Sequence, residues 1–142
     1  MMRRPLNILI VLGLLCAPMH SSADALYLIA NVPPNSEFSQ EYAMSIMRGE
    51  NKNWDSGADA RVALPSRESQ HYDHIANSLI GGSGKAMERR WFALVFSGKV
   101  NAPKYLEDDS AVIDFIASTQ GAIGIVASEY DEVEGLIVLK IQ

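Results

Sequence analysis

Ala25-Leu-Tyr-Leu-Ile-Ala30 is an almost unbroken apolar run that stops at Asn31 and Pro33-Pro34-Asn35. Such a run fits a strand buried on both faces of a mostly parallel sheet. Phe38, Tyr42, Ala43, Ile46 and Met47 then recur at helical spacing behind a Ser36 or Ser39 cap, and Gly49 stands where a helix-ending glycine belongs. A polar stretch through Trp54 and Asp55-Ser-Gly57 leads to a second short apolar strand, Arg61 to Leu64, closed by Pro65. A loop tryptophan of this kind folds back over the edge of the core, and Trp54 is read that way.

Beyond Pro65 a helix is expected to begin at once. Tyr72, Ile75, Ala76, Leu79 and Ile80 occupy i, i+3, i+4, i+7 and i+8, the full template of a buried helix face. A third helix is predicted from about Lys85 to Phe96, burying Met87, Trp91, Leu94 and Val95 and closed by Ser97-Gly98. The acidic Glu107-Asp108-Asp109-Ser110 suits the positive end of a helix that turns Val112, Ile113 and Ile116 inward. Gly121 to Val126 and Gly135 to Ile141 read as the last two strands. The alternation predicts an α/β fold, a three-layer α/β/α single domain with ligands at the C-terminal ends of strands.

The N-terminal pattern adds a compartment. Arg3 and Arg4 precede an apolar run from Leu6 to Cys16 and the polar His20-Ser21-Ser22, the layout of a cleaved secretory signal. That run is short of the roughly 20 apolar residues of a membrane span. The reading is a signal peptide over 1–23, cut after Ala23 or alternatively after Ala25, and a periplasmic domain over 24–142 without direct membrane insertion. Cys16 follows Leu15, not the small residue of a lipoprotein signal, and the exported part has no cysteine, so no disulfide is expected. Losing two of twelve cationic side chains takes the formal charge from −5 to −7. Such acidity disfavours nucleic acid and anionic lipid as partners.

The candidate chemistry gathers where the second strand meets the helix, in Arg61-Val-Ala-Leu-Pro-Ser-Arg-Glu-Ser69. Hydroxyls, a guanidinium and unpaired helix N–H groups at one point suit an oxyanion, with Ser66, Arg67, Ser69, Gln70 and His71 as the candidate ligand-binding residues. Gly81-Gly-Ser-Gly-Lys85 is not a phosphate loop: Leu79 stands at its first glycine, Ala86 at its hydroxyl position, and a helix precedes it. It is read as a flexible break between helices. His71 and His74 lie three apart but have no third ligand, which argues against a metal. Ser66 or Ser69 beside His71 is the only nucleophile and base pair, and a capping role explains those serines with fewer assumptions, so neither catalysis nor a cofactor is expected.

Two further segments carry a resemblance. Ile46-Met-Arg-Gly-Glu-Asn-Lys-Asn-Trp54 and Gly121-Ala-Ile-Gly-Ile-Val126, with the turn between them, resemble the phosphate-type substrate-binding proteins of bacterial ABC transporters, of the type 2 periplasmic binding protein fold. In that family the turn reads roughly Ser-Arg-Glu-Glu-Gly-Ser-Gly-Thr and contacts phosphate. Here Arg67 and Ser69 match, two residues between them are missing, and Gln70 and His71 stand where glycine and threonine belong. The family closes two lobes over its ligand, whereas this chain resembles a single lobe. The resemblance implies an exported, non-enzymatic binding module for a small inorganic anion, phosphate foremost, in transport or sensing, working with a membrane transporter or a second protein lobe. The alternative is a degenerate lobe that serves as a protein-interaction component of an envelope complex.

Overall fold

The computed structural model describes residues 25–127 and 132–142, so the expected signal peptide over 1–23 and the cleavage point after Ala23 lie outside the described residues. The elements are β1 (Tyr27–Ala30), α1 (Gln40–Met47), β2 (Arg61–Pro65), α2 (Tyr72–Ile80), α3 (Gly84–Phe96), β3 (Lys104–Leu106), α4 (Asp109–Ser118), β4 (Ala122–Val126) and β5 (Ile137–Lys140). They form a mixed α/β domain around one sheet of strand order β3-β2-β4-β1-β5. Among the described residues no helix is long and apolar enough to cross a membrane.

The sheet is mixed, not mostly parallel. β2 runs parallel to β3 and β4, whereas β1 lies antiparallel to both β4 and β5. An unbroken apolar run reports burial on both faces and carries no information on strand direction, so the run in β1 misled on this point. β3 was not anticipated at all. Its three residues are too few for a periodic signal, and it forms by pairing Ala63 with Lys104, Leu64 with Tyr105 and Pro65 with Leu106.

Alternation along the strands divides the core into two faces. Leu26, Leu28, Ala30, Val62, Leu64, Ile123 and Ile125 pack with buried residues of α1, α2 and α3. Tyr27, Ile29, Ala63, Ala122 and Val126 pack with Val112, Ile113 and Ile116 of α4. Three helices therefore cover one face and a single helix the other. In α3 only Met87 and Trp91 of the expected apolar set are fully buried, while Leu94 and Val95 are partly buried and pack against the same core.

The turn before β4 ties the layers together. Trp54 is 1% exposed and its indole Nε1 donates to the Gly121 carbonyl at 2.9 Å, confirming a structural lid. The same carbonyl accepts the Arg61 N–H at 3.0 Å, and the Gly121 N–H donates to the Asn31 carbonyl at 2.8 Å. Gly121 holds φ at +83°, and a Cβ there would lie 2.4 Å from the Asp59 carbonyl oxygen. Only glycine meets both conditions.

Trp54→Ala is expected to cost about 3–5 kcal/mol, the range for truncating a buried aromatic, measured by denaturant unfolding of the mature chain. Gly121→Ala should destabilise clearly more than Gly57→Ala. Both glycines have positive φ, but a Cβ at Gly57 meets nothing within 4 Å. Equal losses would mean that the close approach to Asp59 is not a constraint.

Candidate functional site

Pro65 ends β2 at the sheet's C-terminal rim, and Ser66 to His71 separate it from α2, so the helix does not start at once. The Ser66 N–H extends the parallel ladder by donating to the Leu106 carbonyl at 2.7 Å. The turn then satisfies four of its own donors. The Ser66 hydroxyl accepts from the Glu68 N–H at 3.3 Å, and the Ser69 hydroxyl accepts from the His71 N–H at 3.2 Å. The Ser69 and Tyr72 N–H groups donate to the Ser66 and Ser69 carbonyls at 2.8 and 3.0 Å. Neither serine is the helix cap: His71 holds that position without a side-chain hydrogen bond, because the serines close tight turns one step earlier.

The five candidate ligand residues are not brought to one place. Ser69, Gln70 and His71 line a crevice of about 380 Å³ together with Pro65. Its opposite wall is Glu107, Asp108, Asp109 and Ser110, at the start of α4. Asp108 accepts from the Ala111 N–H at 2.8 Å as the α4 cap, and Asp109 accepts from the Ala127 N–H at 3.2 Å. The positive end of α4 is thus already matched by the chain's own carboxylates.

Arg67 points away from that crevice. Its Nη1 pairs with Glu88 of α3, and its guanidinium lies 5.1 Å from the centre of the Tyr105 ring on β3. The hydrogen bond that Arg67 donates to Glu88, and then the Glu88 charge, hold the Arg67 pKa above its already high ordinary value. Behind this pair, Tyr72 meets Tyr105 edge to face with ring centres 6.3 Å apart. Burial first, and the neighbouring Tyr105 hydroxyl second, push the Tyr72 phenol upward, and it stays protonated. The Tyr72 hydroxyl and the Trp91 Nε1 are buried without a hydrogen bond of normal geometry.

Arg67 instead borders a second, larger concavity of about 600 Å³ between α3 and β3. Lys85, Glu88, Arg89, Trp91, Phe92 and Val95 form its α3 wall, and Ala102, Pro103 and Tyr105 the opposite one. At its rim Phe92 and Phe96 are 72% and 85% exposed and stack on each other, with ring centres 6.0 Å apart and planes at 15°. The Gly81 to Lys85 segment fixes α3 here and is not a loose break. Ser83 caps the helix by accepting the Ala86 N–H at 3.2 Å, the Gly84 N–H donates to Asp73 at 2.7 Å, and a Cβ on Gly84 would lie 2.6 Å from the Tyr72 ring.

This groove was missed in the sequence although a signal was present. Lys85, Arg89, Phe92 and Phe96 sit at i, i+4, i+7 and i+11, a single stripe that a count of buried positions passes over. Among the described residues no group of three or more metal-ligating side chains comes together. The chain matches no protein-family model, no curated protein and no solved structure.

The pairing of Arg67 with Glu88 yields a direct expectation. Wild type should show no saturable heat with phosphate, whereas Glu88→Gln should show weak binding, in roughly the millimolar range, that Arg67→Ala in the same background removes. Saturation of wild type and Glu88→Gln at the same phosphate concentration would show that Arg67 is already available.

Proposed function

We propose that the chain is an exported protein-interaction module that holds an extended segment of a partner protein in the groove between α3 and β3. The observation that carries this reading is the exposed, stacked pair Phe92 and Phe96 at the rim of that groove. Large aromatic side chains left in water at the edge of a concavity mark binding surfaces, and aromatic and arginine residues dominate the energy of such surfaces. The resemblance to a single lobe of a phosphate-binding protein fits the same proposal. One lobe has no second wall to exclude water from an ion, but one wall is enough to hold a polypeptide.

The oxyanion reading is supported by Ser69 and His71 at the C-terminal ends of parallel strands, where α/β folds bind ligands. Three features weigh against it. The N–H groups of Glu68, Ser69, His71 and Tyr72 are bonded within the turn, Arg67 is held by Glu88, and three acidic residues face the crevice.

A photoreactive phenylalanine at position 92, and another at position 70, would separate the two readings in the exporting cell. The expected result is a discrete protein adduct at position 92 that Phe96→Ser abolishes, none at position 70, and no saturable heat with phosphate or sulfate in calorimetry. Saturable phosphate binding that Arg67→Ala removes, without an adduct at position 92, would overturn the proposal in favour of the oxyanion module.

A further inference from the structure

Resting on that reading, we infer that the segment bound in the groove is acidic at one end and apolar at the other, with its carboxylates against Lys85 and Arg89 and its apolar side chains against Phe92 and Phe96. The stripe along α3 sets this polarity, since its first half is cationic and its second half aromatic. The protein carries a formal charge of −5, yet the groove holds Arg67, Lys85 and Arg89 against the single carboxylate of Glu88. Glu88 is already engaged by Arg67. Lys85 and Arg89 are therefore a local cationic pair on an acidic chain, and what complements them is an acceptor-rich ligand.

The hydrogen-bond inventory points the same way. Arginine, lysine and the tryptophan indole can only donate. Trp91 lines the groove, and its indole adds no acceptor to it. A cationic or donor-rich ligand would meet only the Glu88 carboxylate, already paired with Arg67, and the Tyr105 hydroxyl as side-chain acceptors.

Size excludes a simple anion as the natural occupant. From Lys85 to Phe96 a helix rises about 16 Å, which corresponds to about five residues of extended chain. Phosphate or acetate would occupy only the cationic end and leave the two phenylalanines in water.

The probe is the labelled peptide acetyl-Phe-Val-Leu-Asp-Asp-Glu-amide, with a control in which lysine replaces each acidic residue, titrated by fluorescence polarisation against the mature chain. The acidic peptide should bind, with an affinity that falls as salt rises, and the lysine control should bind at least about tenfold more weakly. Lys85→Glu with Arg89→Glu should reverse that preference, and Phe92→Ser with Phe96→Ser should weaken the acidic peptide about tenfold. Lys85, Arg89, Phe92 and Phe96 are all exposed, and unchanged melting of each variant would show that the fold persists. Equal binding of the two peptides, or a preference untouched by the charge reversal, would overturn the inference. A protein adduct at position 92 with no binding of the acidic peptide would overturn this polarity while sustaining the interaction reading, and absence of both would overturn the two together.

Discussion

The Trp54 indole closing on the Gly121 carbonyl is the contact on which the arrangement of layers depends. It joins the loop after α1 to the turn between α4 and β4, two segments 67 positions apart in the chain. The carbonyl also receives the N–H of Arg61, which sets β2 beside β4, while the Gly121 N–H holds the end of β1. Three strands are thus registered at one point, in a backbone conformation open only to glycine and under a roof that admits no Cβ. The parallel pairing of β2 with β4 follows from this anchor, and with it the placing of Pro65 at the far rim of the sheet.

That placing has a functional consequence. The C-terminal ends of β2, β3 and β4 meet at one rim, but β1 is reversed and ends at the other, beside Gly121. The loops that could cooperate around a small ligand are therefore divided between two ends of the sheet. At the rim that holds Ser69 and His71, the facing side chains are carboxylates. Arg67 turns instead to α3 and β3, where its guanidinium borders the groove between Trp91 on one wall and Tyr105 on the other. In the proposed reading the strand-to-helix turn supports the groove through Arg67 and does not itself receive the ligand.

The sequence was readable where periodicity was long and unreadable where it was short or shared. Tyr72 to Ile80 and the apolar face of α4 follow their templates, with four buried positions repeating in the first and three in the second. Trp54 was read as a lid, and its burial bears this out. The three residues of β3 offered no repeat, and their strand geometry comes wholly from β2. Strand direction in β1 was not encoded in its apolar run. The candidate turn was found, but a local motif cannot show which way a side chain leaves the backbone. Glu88 lies 21 positions from Arg67, and that contact, invisible to any local pattern, moved the guanidinium from one concavity to the other. The pattern that marks the buried face of α3 carries no information on Phe92 and Phe96, which stand on its exposed face.

The central claim is that α3 and β3, and not the turn at Ser66 to His71, form the binding surface. Two-dimensional proton–nitrogen NMR of the mature chain reports both places at once, through the backbone amides of the turn and the indole N–H of Trp91. On addition of phosphate and then of the acidic, apolar peptide, the account predicts that phosphate leaves the amides of Ser66 to His71 in place, and that the peptide moves the Trp91 indole and the amides of Lys85 to Phe96. Saturable movement of the Ser66 to His71 amides with phosphate, with the Trp91 indole unmoved by peptide, would contradict it.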